Sequence, residues 1–165
     1  DDYSRYIISW RLTTTMAAAD VTGTLEDALK ATGLSVARVR HRPRLLSDNG
    51  PCYISGELKA WLKDRDIEHT RGAPYHPQTQ GKIERYHRSM KNVVKLEHYY
   101  FPWELEKAIA DWVDHYNHER FHESLDNVTP ADVFEGRRND ILDQRALVKA
   151  RTMTKRKVHN LQLAG

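Results

Sequence analysis

The chain has 165 residues, with 26 Lys and Arg against 23 Asp and Glu and 39% hydrophobic residues, a composition that suits one domain with a tail rather than two full domains. Charged residues make up 30% of it and no apolar run approaches the roughly 20 residues that cross a bilayer, which excludes a membrane protein and any membrane partner. Cys52 is the only cysteine, so neither a disulfide framework nor a four-cysteine zinc site can be built, and a reducing, cytoplasmic compartment is expected. The start, Asp1-Asp2-Tyr3, has no signal-peptide pattern and reads as the beginning of a fragment. Charge is uneven: residues 1–136 carry 18 basic and 21 acidic residues, a net −3, whereas residues 137–165 carry eight basic and two acidic, a net +6. The boundary predicts a domain over 1–136 and a basic C-terminal tail over 137–165, which either contacts nucleic acid or is a solvated linker.

Arg5 to Leu12 is dense in β-branched and aromatic residues, with Tyr6, Ile8, Trp10 and Leu12 alternating onto one face, which predicts a strand. Met16 to Ala31 reads as a helix that buries Val21, Leu25, Ala28 and Leu29 and stops at Gly33. Arg44 to Ser47 is a short apolar strand running into the turn Asp48-Asn49-Gly50-Pro51. Ser55 caps a second helix carrying Leu58, Trp61 and Leu62, which ends at Asp64 to Asp66, and Ile67 to Thr70 is a third short strand. The Gly- and Pro-rich run Arg71 to Gly81 is a long loop. Lys82 to Glu97 is a strong helix with Ile83, Tyr86 or His87, Met90 and Val94 at core spacing, and another helix runs from about Trp103 to Asn117. Thr129 caps a last short helix with Pro130 at its first position. Strands alternating with helices predict an α/β domain with a mixed or parallel sheet flanked by helices.

The chemistry centres on two carboxylates. Asp48 stands directly after a strand, and Glu84 stands in the first turn of a helix, with 35 residues between them. Each has a plain alternative: Asp48 as a turn residue bonding the backbone of Gly50, and Glu84 as a charge favoured by the positive helix N-terminus. The surroundings favour chemistry. Arg88, Lys91 and Lys95 follow Glu84 on one helical stripe, and Arg71 to Lys95 holds six basic residues and one acid. A carboxylate heading a cationic track suits a phosphodiester, whose backbone needs cations and whose reacting phosphate needs a divalent metal.

Ser47-Asp48-Asn49-Gly50, His76-Pro77-Gln78-Thr79-Gln80-Gly81-Lys82-Ile83-Glu84-Arg85 and Tyr116-Asn117 with Arg120, His122, Leu125 and Thr129-Pro130-Ala131 resemble the integrase catalytic core of bacterial insertion-sequence transposases, relatives of retroviral integrases. The resemblance spans about residues 1–136. It implies a ribonuclease H-like fold and a DDE-type site in which two aspartates and a glutamate hold two Mg²⁺ (or Mn²⁺) ions. Asp48 and Glu84 match the second and third members, and the 35 intervening residues match the family's spacing. Gln80-Gly81 departs from the family's usual Asn-Gly. The segment Asp2-Tyr3-Ser4-Arg5 resembles the junction of the family's second and third strands, so Asp1 and Asp2 are not the first aspartate. The first two strands and the first ligand are expected to be absent, leaving an N-terminally truncated fold that is inactive alone.

The implied reaction is direct phosphoryl transfer, with two ions roughly 3.5–4 Å apart at the scissile phosphate: transposon ends are cleaved and their 3′-hydroxyls joined to target DNA. Arg88, Lys91 and Lys95 would bind DNA, with Lys91 the position the resemblance singles out, and Tyr75 and the Gly72 to Gln80 loop would move with substrate. Implied partners are DNA, further copies of the chain and the upstream DNA-binding domain of the same transposase, in a bacterial cytoplasm at the nucleoid. Two other readings stay open: a ribonuclease H-like nuclease that cuts without joining, and a catalytically incomplete DNA-binding or regulatory fragment. His115, His118, Glu119 and His122 cluster in sequence but read as surface histidines rather than a zinc site. His76 is at most a minor substrate contact. Ser47 lacks a nucleophile elbow, and Trp10, Trp61, Trp103 and Trp112 read as core or interface residues.

Overall fold

The computed structural model describes residues 1–37, 42–72 and 81–163. Its elements run α1 (Ala18–Ala31), β1 (Leu45–Ser47), α2 (Pro51–Ile54), α3 (Gly56–Asp64), β2 (His69–Arg71), α4 (Gly81–Val94), α5 (Pro102–His118), a 3₁₀ turn (Glu123–Leu125), α6 (Pro130–Phe134) and α7 (Arg138–Leu163). They fall into two compact units: Ile7–Trp112 with Asp1, and Val113–Gly165 with Asp2–Tyr6. The 136/137 boundary expected from charge lies inside the second unit, between α6 and α7. No helix among the described residues is long and apolar enough to cross a membrane.

In the first unit, α1 has no Ser or Thr cap; the Asp20 carboxylate accepts the Ala17 N–H at 3.0 Å instead, satisfying one orphan donor of the helix start. The helix ends as expected at Gly33, whose φ of +71° is the left-handed conformation a helix stop requires. Ser55 Oγ accepts the Leu58 N–H at 3.2 Å and caps α3 as the sequence predicts, and α3 buries Leu58 and Leu62. The α1, α2 and α3 helices pack on one another, and Arg65 at the end of α3 pairs with Glu26 of α1 at 3.3 Å. Strands β1 and β2 pair in parallel, Leu45 with His69, Leu46 with Thr70 and Ser47 with Arg71. The intervening α2 and α3 form the crossover that a parallel pair needs.

Arg5–Leu12 is not a strand. Arg5 has φ +64°, which breaks the extended run at its first residue, and the segment is tied to α1 by side chains: Ser9 Oγ donates to Thr24 O at 2.8 Å and Arg11 pairs with Asp27 at 2.5 Å. Alternation measures fitness for a pleated, half-buried surface and does not fix which backbone a segment bonds to. Among the described residues the sheet consists of β1 and β2. In α4, Tyr86 packs edge-on to Trp112 at 5.3 Å between ring centroids and Val94 is buried, whereas Ile83 is 51% exposed despite its core spacing.

The second unit is built on Leu125, Val128 and Val133, against which Ile141 and Leu142 of α7 pack. Asp126 and Asn127, with φ of +59° and +57°, turn the chain back so that His122 bridges Val128; Asp and Asn are the non-glycine residues that tolerate this conformation best. Arg145 donates to the carbonyls of both turn residues, at 3.2 and 3.0 Å. Thr129 caps α6 with a reciprocal box: its hydroxyl accepts the Asp132 N–H at 3.2 Å while the Asp132 carboxylate accepts the Thr129 N–H at 3.1 Å. Tyr6 stacks on Phe134 at 4.5 Å. The basic tail, read as either a nucleic-acid contact or a solvated linker, is helical from Arg138 to Leu163, because Ala, Leu, Arg, Lys and Gln dominate it, and it has no buried residue.

Candidate active site

Asp48 follows the last residue of β1 and so stands at the carboxyl end of a parallel pair, the edge at which α/β sheets offer ligand sites. Several bonds hold it there. Gly72 N donates to Ser47 O at 2.8 Å, and Asn49 Nδ2 donates to Gly72 O at 2.8 Å, so the residues on both sides of Asp48 are fastened to the end of β2. The Asp48 side chain is exposed, and its Oδ1 accepts the Gly50 N–H at 2.8 Å. The turn-residue reading of Asp48 therefore holds, and it occupies one carboxylate oxygen. A Cβ at Gly50 would stand 3.0 Å from that oxygen, tighter than ordinary contact, so glycine lets the turn close on the carboxylate. Burial, with the nearby Cys52 and Asp48, pushes the Tyr53 phenol above its ordinary pKa and keeps it protonated beside Asp48.

Beneath Asp48 the residues form a relay that sequence reading missed. Ser47 is 5% exposed; its Oγ donates to the Asp48 carbonyl at 2.8 Å and lies 2.8 Å from His69 Nε2 on β2. Burial, reinforced by Arg71, lowers the His69 pKa. The signal was the strand register: Ser47 and His69 lie on adjacent parallel strands, but strand ends this short do not reveal their pairing in the sequence.

Glu84 is exposed in the first turn of α4. With His87, Arg88, Lys91, Asn92 and Lys95 it lines an open recess of about 700 Å³. The helical stripe read from sequence is thus one physical face, continued past the helix end because Lys95 N still donates to Lys91 O at 3.1 Å. His87 and Asn92 share this face; the sequence offered His87 only as a core alternative to Tyr86, and Tyr86 takes that role. Burial, with Lys91 nearby, lowers the His87 pKa and favours the neutral ring. Asp48 is not among the residues lining the recess. Tyr75, His76 and the rest of the loop up to Gln80 lie outside the described residues.

Carboxylate oxygens suit Mg²⁺ or Mn²⁺, hard ions commonly held by one or two carboxylates together with substrate phosphates and water. Asp48 and Glu84 fit that donor chemistry. Among the described residues no group of three His, Cys, Asp or Glu gathers as for a metal ion. The histidines pair locally: His115 with Glu119 at 3.0 Å and His118 with Asp114 at 2.9 Å, while α5 ends at His118 and separates them from His122.

Two family models, each described as an integrase core domain, match residues 1–77 and 65–130. The chain is 40% identical over 67 residues to a mouse IgE-binding protein, covering 40% of this chain and 12% of that protein. It is 47% identical over 51 residues to the Pol-related polyprotein of mouse intracisternal A-particle MIA14, covering 30% of this chain and 6% of the polyprotein. The chain thus spans a small fraction of these relatives. Among solved structures, the catalytic core domain of BIV integrase superposes with a TM-score of 0.58 at 23% identity, covering 84% of both chains. The HTLV-2 integrase catalytic core in complex with magnesium gives 0.57 at 18%, covering 78% of this chain and 74% of that one. Matches to models described as an integrase core domain thus run across residues 1–130, and the fold is the ribonuclease H-like fold of retroviral integrase catalytic cores.

Proposed function

We propose that this chain is the DNA-engaging part of a DDE-type polynucleotidyl transferase, the core of an insertion-sequence transposase acting in DNA integration. The observation that carries the reading is Glu84 heading a recess lined by Arg88, Lys91 and Lys95, within a match to the integrase core domain. In this reading Asp48 and Glu84 are metal ligands, and Arg88, Lys91 and Lys95 neutralise phosphates of transposon-end and target DNA. A bound Mg²⁺ or Mn²⁺ supplies Lewis-acid activation of the attacking hydroxyl and charge stabilisation at the phosphate. The protein residues bring the DNA backbone to the carboxylates and hold it there. The chain acts as a homo-oligomer at the nucleoid of a bacterial cytoplasm, and residues 1–136 form the core with a basic extension beyond.

A second statement rests on the resemblance, whose site needs three carboxylates: Asp48 and Glu84, as two of them, bind metal and DNA without turnover on their own. A transposon-end duplex incubated with the chain and Mg²⁺ is expected to be bound and left intact, with Mn²⁺ binding lost in Asp48→Asn and Glu84→Gln. Cleavage that disappears in Asp48→Asn would overturn the second statement and keep the first. Equal Mn²⁺ binding by wild type and both variants would overturn the metal-site reading. Cleavage without joining would assign the ribonuclease H-like alternative.

A further inference from the structure

We propose that His69 is a positioning residue for Asp48, acting through Ser47; the inference rests on the reading of Asp48 as a metal ligand. The Ser47 hydroxyl has one proton and two close polar neighbours, the Asp48 carbonyl at 2.8 Å and His69 Nε2 at 2.8 Å. Only one assignment makes both contacts hydrogen bonds. Ser47 donates to the carbonyl, and His69 Nε2–H donates to Ser47 Oγ, because the reverse would press two lone-pair oxygens together at the carbonyl. The direction of donation therefore runs from His69 to Ser47 to the backbone of Asp48. Both the neutral Nε2–H ring and the imidazolium can head it, so the arrangement does not depend on the charge of the ring.

The geometry gives this chain a purpose that strand pairing alone does not supply. The β1 ladder ends at Ser47, so the Asp48 peptide lies beyond the last paired residue. Ser47 is 5% exposed, and in that desolvated position an unmade bond is costly while a chain of bonds polarises and strengthens its members. The relay extends the restraint of the sheet by one residue, to the carbonyl of the residue whose carboxylate must be aimed. Gly50 N and Asn49 hold the other side of the turn. Hydrogen bonds that orient a metal-ligating group commonly contribute 10- to 100-fold to metal affinity.

The test measures Mn²⁺ binding to the whole chain by electron paramagnetic resonance, alongside thermal melts. His69→Leu keeps bulk and removes the donor, and its Mn²⁺ affinity is expected to fall about 10-fold. His69→Gln, whose amide nitrogen can replace Nε2 as donor, is expected to recover most of the loss. Recovery by Gln separates positioning from simple packing. Equal affinity in wild type and His69→Leu overturns the proposal, as does a His69→Gln variant as weak as His69→Leu. If His69→Leu fails to fold, Ser47→Ala interrupts the same relay, and wild-type affinity in that variant overturns it equally. Asp48→Asn distinguishes the two levels: if wild type and Asp48→Asn bind Mn²⁺ alike, the ligand reading fails and this inference with it. If Asp48→Asn loses binding but His69→Leu does not, only the inference fails.

Discussion

His122 shows how one side chain couples the fold to pH. Its Nε2 is buried without a hydrogen-bond partner among the described residues, and its ring lies edge-on to Tyr116 at 5.0 Å. Burial, with the charges of Arg120 and Arg5 adding to it, lowers its pKa to about 4 from 6.5. Between those values the unfolded chain binds a proton that the folded chain refuses, so stability rises with pH across that window. The cost appears as pH falls below the unfolded value and is complete below the folded one. Wild type is therefore expected to lose melting temperature from about pH 7 to about pH 5 more steeply than His122→Gln, as differential scanning calorimetry would record; parallel slopes would contradict it. Thr129 is the second case. It is 5% exposed, and its hydroxyl both accepts from the Asp132 N–H and bonds the Asp132 carboxylate at 2.8 Å. Thr129→Ala is expected to cost about 1 kcal/mol, read from denaturant midpoints at constant slope; a change near zero would remove the cap from the account.

Among the elements, α7 departs furthest from ordinary packing. Its 26 residues, about 39 Å at 1.5 Å per residue, contain no buried position, and only its first turns, at Ile141 and Leu142, touch the core around Val128. Helices derive most of their stability from a packed face, so the distal part of α7 should open independently of its base. Hydrogen exchange is expected to be orders of magnitude faster over Leu147–Leu163 than over Val128–Val133, with equal protection in the two stretches contradicting this. Leu147, Val148, Met153, Val158, Leu161 and Leu163 are all exposed, which explains why the charge pattern of this segment was readable and its structure was not. The residues have high helix propensity, but the segment lacks the apolar stripe that announces a packed helix. The reverse holds for Arg5–Leu12, where the alternating stripe is present but Ser9 and Arg11 bind the segment to α1 through their side chains.

For the whole molecule, a net charge of +3 says little, because charge is uneven along the chain: α4 carries four Lys and Arg against one acid, and α7 seven against two. If the α4 face engages DNA, binding must follow counterion release: log affinity falls linearly with log salt, and each phosphate contact removed lowers the slope by about 0.9. Arg88→Gln, Lys91→Gln and Lys95→Gln together are expected to weaken duplex binding and flatten that dependence, with the melting temperature held, since these side chains line an open recess. An unchanged slope would leave the recess without a role in DNA binding. The local devices were legible in the sequence because each is built from neighbours along the chain: the Ser55 and Thr129 caps, the Gly33 stop, the stripe from Glu84 to Lys95, and the Asp48–Gly50 turn. The motif spacing of Asp48 and Glu84 likewise needed no structure to be seen. Tertiary structure alone decided that Ser9 and Arg11 bind to α1, that Tyr86 rather than His87 faces the core, and that His69 meets Ser47 under Asp48. Each of these depends on which surface a segment meets across many intervening residues, and hydrophobic periodicity encodes only that a face is apolar, not what lies against it.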